Sequence, residues 1–350
     1  MTIRRSARIS SRGNGVQAPP ISQTTTSQKR KPSPEPPSTP AKKRIRPVEP
    51  VTPTPTAVGL ITENGDHKLG KKPRNATVTR LADPNLSNAT LLSPETSRVI
   101  ASRDIELVSP SKASSVRTTT ANLLEEACAH LIKVDERMRP LIEKHHCRVF
   151  SPEGLAEKID PFESLTSGII SQQVSGAAAK SIKAKFVALF HKDGEEGPEK
   201  RFPLPSEVAA CSVEHLRTAG LSQRKAEYIQ GLAEKFANGD LNAQLLHDAP
   251  YEEVLEKLIA VRGLGRWSVE MFACFALKRM DVFSLGDLGV QRGMAAFVGR
   301  DVAKLKSKGG KWKYMSEKEM SELSEQFAPY RSLFMWYMWR VEETDISTLE

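Results

Sequence analysis

The chain is 350 residues long, 39% hydrophobic, and carries a formal charge of +9, which admits two or three domains or one domain with a long unpacked segment. No apolar run approaches the roughly 20 residues of a membrane span, and no apolar stretch follows Met1 as in a secretory signal, so a soluble intracellular protein is expected. The four cysteines, Cys128, Cys147, Cys211 and Cys274, are scattered with no CxxC pair, which excludes the usual zinc spacings, an iron–sulfur cluster and a disulfide framework.

The positive charge is confined to one end. Residues 1–120 hold 20 Lys/Arg against 8 Asp/Glu, whereas the rest of the chain holds 31 against 34. All 21 aromatic residues lie beyond position 120, and 15 of the 23 prolines lie before it. A segment without aromatics buries too little apolar area to offset the backbone entropy lost on folding. Residues 1–120 are therefore expected to form a disordered, basic, Pro/Ser/Thr-rich tail. Within it, Lys29-Arg30-Lys31 and Lys42-Lys43-Arg44-Ile45-Arg46 are two basic clusters separated by ten residues. That spacing matches a bipartite nuclear localisation signal and predicts a nuclear protein carried by an import receptor. The same clusters would equally hold DNA phosphates. The sequons at Asn75, Asn85 and Asn88 are chance matches in a Ser/Thr-rich stretch.

From Asn122 onward the texture changes. Leu123, Leu124, Ala127, Leu131 and Val134 recur at three- and four-residue spacing, the mark of an amphipathic helix. Similar patterns cover about 162–190, 206–217, 223–237, 251–260, 266–278, 288–298, 316–326 and 330–341. No alternating strand-like run of any length intervenes. Residues 121–345 thus read as one all-α domain, built in two lobes.

The chemically informative stretch is Leu258-Ile259-Ala260-Val261-Arg262-Gly263-Leu264-Gly265-Arg266-Trp267-Ser268-Val269-Glu270-Met271. A helix with an apolar face (Val254, Leu255, Leu258, Ile259) meets Gly-Leu-Gly, and a second helix begins. Two glycines in three residues permit a tight turn and close backbone approach to a ligand. The free N–H groups of the second helix then offer an anion site. Such a hairpin grips a DNA phosphate without reading sequence, although an ordinary helix–helix packing corner has the same pattern. Leu216-x-x-Ala219-Gly220-Leu221-Ser222 is a weaker echo that reads as a structural corner.

Further on comes Phe283-Ser284-Leu285-Gly286-Asp287-Leu288-Gly289-Val290. Asp287 lies 20 residues beyond Trp267 and immediately before a helical pattern. By position alone it fits a helix N-cap at least as well as a catalytic carboxylate.

Four motifs in order resemble the helix-hairpin-helix DNA glycosylase superfamily and, within it, the bacterial and fungal 3-methyladenine DNA glycosylases. They are Ile170-Ser171-Gln172-Gln173-Val174-Ser175 with Ala177-Ala178-Ala179, the Gly263-Leu264-Gly265 hairpin, Asp287 with Leu288-Gly289-Val290, and Ala328-Pro329-Tyr330-Arg331-Ser332. The resemblance spans roughly residues 122–341.

It implies a two-lobed helical glycosylase domain acting on double-stranded DNA as a monomer, without a cofactor. Asp287 would be the catalytic carboxylate, stabilising positive charge on the sugar of a flipped nucleotide. Trp267, Met271 and Tyr330 would wall the base pocket; Met271 stands where some relatives place an aromatic. Trp336 and Trp339 fit core packing better. Gly263, Leu264, Gly265 and Arg266 would hold DNA, and Gln173 or Val174 would wedge into the gap left by the flipped base. Backbone carbonyls of Ile259, Val261 and Leu264 match those that hold a monovalent cation in such hairpins; no side-chain metal site is implied. Bifunctional relatives carry a lysine at the position of Trp267, so a monofunctional enzyme leaving an abasic site is implied. Glycosylases for deaminated purines share the same scaffold, and a non-catalytic hairpin protein would not need the intact Gly286-Asp287-Leu288-Gly289 context.

Overall fold

The computed structural model describes residues 80–101, 118–191, 201–307 and 309–341. The two basic clusters of the proposed localisation signal lie outside them. The chain order begins with β1 (Thr90–Leu92) and β2 (Val99–Ala101). There follow α1 (Leu123–Val134), α2 (Met138–Lys144), α3 (Pro152–Leu155), β3 (Lys158–Ile159), α4 (Pro161–Ser171) and α5 (Gly176–Ala188). Next are α6 (Pro205–Ala209), α7 (Val213–Arg217), α8 (Gln223–Ala237), α9 (Ala243–Asp248) and α10 (Tyr251–Ile259). The series ends with α11 (Arg266–Phe275), α12 (Leu288–Phe297), α13 (Val302–Lys306), α14 (Glu317–Glu325) and α15 (Arg331–Met338).

The helices gather around two apolar cores. One contains Phe162, Ile169, Phe186, Ile229, Leu232 and Leu258. The other contains Leu131, Phe150, Phe297, Phe327, Phe334 and Met335. Helix α11 serves both: Val269, Phe272 and Ala276 enter the first core, while Met271, Cys274 and Phe275 enter the second. Its sequence is apolar on nearly every side, as a helix wrapped by protein must be. The expected two-lobed helical architecture is thus present, with the chemically informative stretch opening the helix between the lobes.

The expectation for residues 1–120 needs correction over 80–101 and 118–120. Ala89 and Leu91 are fully buried, and β1 lies between β2 (antiparallel) and β3 (parallel) in a three-stranded sheet. Polar bonds to residues at or just beyond helix ends also hold the segment. The Ser87 hydroxyl and Asn88 N–H donate to the Leu277 carbonyl at 2.8 and 3.2 Å, and the Asn88 amide donates to that of Lys278 at 3.2 Å. These satisfy carbonyls of the turn that follows α11. The Arg80 guanidinium donates to the Leu155 carbonyl at 2.6 Å. A packed segment without aromatics is possible because its few apolar side chains join a core built elsewhere.

Candidate active site

The hairpin joins α10 to α11. Gly263 takes φ +94°, and a Cβ there would sit 2.2 Å from the Tyr228 ring, so both the turn and the close packing require glycine. Val261 and Leu264 turn inward, each 5% exposed, while Gly265 begins α11 with no side chain capping the helix and open space where a Cβ would be. The first-turn amides therefore remain available to an anion. The carbonyls of Ile259 and Leu264 accept no backbone hydrogen bond among the described residues, and that of Val261 takes one from the Leu264 N–H at 3.1 Å. No group of three His, Cys, Asp or Glu side chains converges among the described residues.

Beside the hairpin lies the break between α4 and α5. Gln173 takes φ +56°, and Gln173 and Val174 are both exposed. The sequence reading misses what fixes this loop. The Gln172 amide donates to the Gly263 carbonyl at 2.9 Å. Lys225 Nζ donates to the Ile170 and Gln172 carbonyls at 2.8 and 2.7 Å, closing the end of α4. Burial pushes the Lys225 ammonium below its ordinary value. One face of α8, carrying Lys225 and Tyr228, thus supports both the loop and the hairpin.

Asp287 is 2% exposed and caps α12. Its Oδ1 accepts from the Val290 N–H at 2.8 Å and from Trp339 Nε1 at 3.0 Å. Its Oδ2 accepts from Trp267 Nε1 at 2.8 Å. The structure therefore joins Asp287 to the hairpin's tryptophan, and Asp287 is a helix cap as well as the member of that pair with acid–base and charge-stabilising chemistry. A buried carboxylate requires such donors. Trp339 packs against the second core as expected and in addition donates to Asp287. A tryptophan in an apolar C-terminal helix gives no sign in sequence of where its N–H points.

The approach to Asp287 is anchored from behind. Ser284 donates to Glu270 Oε2 at 2.5 Å, and Arg266 donates to Glu270 Oε1 at 2.9 Å. Burial raises the Glu270 carboxyl above its ordinary value, against the lowering by Ser284 and Arg266. The Ala328–Ser332 motif acts at the base of the same loop. Arg331 binds both oxygens of Asp281 at 2.6 and 2.8 Å, and the Ser332 hydroxyl donates to the Arg279 carbonyl at 2.7 Å while accepting from the Val282 N–H at 2.9 Å.

The three residues expected to wall the base pocket differ in exposure. Trp267 is partly exposed. Met271 is fully buried in the second core, because α11 is enclosed on that side, so it offers no surface to a base in this conformation. Tyr330 is 9% exposed and stands edge-on to His130 of α1 with ring centroids 5.2 Å apart. It makes no ring contact with Trp267 among the described residues.

A two-glycine hairpin opening a central helix, with an aspartate at the next helix start bonded to the hairpin's tryptophan, defines the class of helix-hairpin-helix DNA glycosylases. Residues 166–308 match the model of the HhH-GPD superfamily base excision DNA repair proteins. The chain is 32% identical over 275 residues to the DNA-3-methyladenine glycosylase of Saccharomyces cerevisiae, covering 73% of this chain and 91% of that protein. It is 30% identical over 224 residues to DNA-3-methyladenine glycosylase 1 of Schizosaccharomyces pombe, covering 63% and 88%. Among solved structures, one of a Schizosaccharomyces pombe 3-methyladenine DNA glycosylase in complex with abasic DNA is 25% identical, covers 63% of this chain and 98% of that one, and has a TM-score of 0.48. This chain belongs to the DNA-3-methyladenine glycosylase family.

Proposed function

We propose that this protein is a monofunctional glycosylase of base excision repair that hydrolyses the N-glycosidic bond of alkylated purines, of the 3-methyladenine and 7-methylguanine type, with Asp287 as the catalytic carboxylate. The observation that carries the reading is the bond between Asp287 and Trp267, which joins a buried acid to the partly exposed indole at the start of α11. An alkylated purine is cationic and leaves readily, so the enzyme's task is to stabilise the positive charge left on the sugar. A fixed carboxylate does this by charge and can orient water for attack. The Trp267 face attracts a cationic base, with Tyr330 as the second wall by resemblance. An indole offers no amine to form a Schiff base, so the product is an abasic site in an unbroken strand.

The amides of Gly263, Gly265 and Arg266 hold a backbone phosphate of the duplex, and Leu264, whose own N–H closes the turn onto Val261, shapes the hairpin that presents them. A monovalent cation on the carbonyls of Ile259, Val261 and Leu264 would add positive charge beside that phosphate. Gln173 or Val174, both exposed on the loop locked to the hairpin, enters the stack when the damaged base is flipped. The basic clusters at Lys29–Lys31 and Lys42–Arg46 direct the protein to the nucleus through an import receptor. It acts there as a monomer.

The test is base release from methylated duplex DNA, with product strands probed with and without alkali. Wild type is expected to release 3-methyladenine and to give breaks only after alkali. Asp287→Asn is expected to bind an abasic-site duplex yet release bases at least about a hundredfold more slowly, the scale of losing a charge-stabilising group. Release by Asp287→Asn at the wild-type rate would reduce Asp287 to a helix cap.

A further inference from the structure

Building on the catalytic reading of Asp287, we propose that Trp339 is a positioning residue that divides the labour of the Asp287 oxygens, holding Oδ1 as the anchored oxygen and leaving Oδ2 as the working one.

The geometry separates the two oxygens. Oδ1 accepts from both the Val290 N–H and the Trp339 indole. Two donors occupy both in-plane lone pairs of a carboxylate oxygen, so Oδ1 has no lone pair directed at a reacting group. Among the described residues, Oδ2 accepts only from Trp267. One lone pair remains there for a sugar cation or an attacking water. The Val290 N–H and the Trp267 indole each restrain one oxygen. The Trp339 donor, at the end of α15, adds a third point and narrows the turning of the carboxylate about its Cβ–Cγ bond.

The surrounding packing is built to let that indole in. A Cβ at Gly289 would lie 2.9 Å from Trp339 Cδ1, 3.0 Å from its Nε1 and 3.1 Å from Asp287 Oδ1. At Gly293, one helical turn on, a Cβ would lie 1.8 Å from the Met338 carbonyl oxygen. Helices α12 and α15 therefore approach backbone to backbone at Gly293, the Trp339 indole lies against the bare backbone of Gly289, and this close approach brings Trp339 within hydrogen-bond distance of the cap of α12. Phe275 of α11 packs on the indole with ring centroids 5.6 Å apart at 32°, steadying the ring.

The test compares Trp339→Phe, Gly289→Ala, Trp267→Phe and Asp287→Asn in single-turnover base release from methylated duplex and in binding to a duplex with a tetrahydrofuran abasic site. Trp339→Phe keeps the ring and removes the donor. It is expected to slow release at least about tenfold with abasic-site affinity within about twofold of wild type, the signature of an interaction made only in the transition state. Trp267→Phe, which removes the donor to Oδ2 and shortens the face that receives the base, is expected to raise the half-saturating concentration of methylated duplex as well as slow release. Gly289→Ala keeps both indoles but displaces one, and reproduces the rate loss without the binding loss; it carries the test if Trp339→Phe does not fold. Release at the wild-type rate by whichever variant folds overturns the proposal, as does a parallel fall in rate, affinity and melting temperature, which would mark packing alone. If Asp287→Asn also releases bases normally, the catalytic reading itself fails; if Asp287→Asn is inactive while Trp339→Phe is normal, only this inference fails.

Discussion

At Gly263 the backbone needs φ +94° and the Tyr228 ring leaves no room for a Cβ. Substitution with alanine therefore adds left-handed strain, on the order of 1–2 kcal/mol, and pushes the hairpin off α8. Gly263→Ala should lower the melting temperature and weaken abasic-site DNA binding at least about tenfold, through misplaced amides at the phosphate site. Adding Tyr228→Ala should recover part of the affinity by relieving the ring contact while leaving the backbone strain. No recovery in binding would show that strain, and not the clash, controls the hairpin. The glycine pair was legible in the sequence because only glycine fits such a turn and such an approach. So was Asp287, where the cap and the candidate catalytic roles proved to be the same side chain in one place. Trp339, Gln172 and Lys225 were not, since their roles depend on partners 52, 91 and about 50 residues away. Nothing local distinguishes a tryptophan that donates to a carboxylate from one that only packs.

Among the elements, α4 shows a cap under electrostatic load. Asp160 accepts from the Phe162 and Glu163 N–H groups at 2.8 and 3.1 Å, yet burial outweighs these donors and pushes its carboxyl up to about 6. The folded state therefore binds a proton that the unfolded chain, at an ordinary aspartate value near 3.8, has already released. Between pH 4 and 6 the unfolded state binds fewer protons at this site, so its contribution to stability falls as pH rises through that window and stays low above it. Asp160→Asn keeps a capping oxygen without the charge. It should match or exceed wild-type stability at pH 7.5, by up to about 1–2 kcal/mol, and lose the advantage near pH 4. Equal destabilisation at both pH values in urea unfolding would mean that the carboxylate, charged, is the better cap. The element reading from sequence succeeded where an apolar face persists, as along α8, α10 and α12. It merged 162–190 into one helix because Gln172–Ser175 contains no Gly or Pro to announce the break; the left-handed Gln173 is held by Lys225 and Gln172 contacts that periodicity does not encode.

For the whole molecule, the boundary between the folded domain and the preceding chain can be located by deletion. Composition places it at 120, where the aromatics begin, but the polar stitching of 80–92 places it before Arg80. Removing residues 1–79 takes away 15 Lys/Arg and 4 Asp/Glu and none of the described contacts. Removing residues 1–120 also exposes the carbonyls of the turn that follows α11, deletes Ala89 and Leu91 from the first core, and strips Glu95 from the start of α6, where it accepts from the Ser206 N–H and hydroxyl at 3.0 Å each. It further leaves Arg279, 1% exposed, without the Asn85 carbonyl it binds at 3.3 Å. Orphaned buried polar groups each cost about 1–3 kcal/mol, and a domain of this size loses roughly 2–4 °C per kcal/mol. The shorter deletion should therefore melt within about 2 °C of full-length protein, while the longer one should melt more than about 8 °C lower or fail to accumulate in soluble form. Equal melting of the two would return the boundary to 120. The shorter deletion also isolates the electrostatic role of the basic segment, because the remaining domain has almost no net charge with which to attract DNA. If that segment holds phosphates, its loss should flatten the dependence of log affinity on log salt by close to one unit per contact removed. An unchanged slope, with unchanged affinity, would leave the hairpin amides as the grip on the duplex and confine the basic clusters to transport.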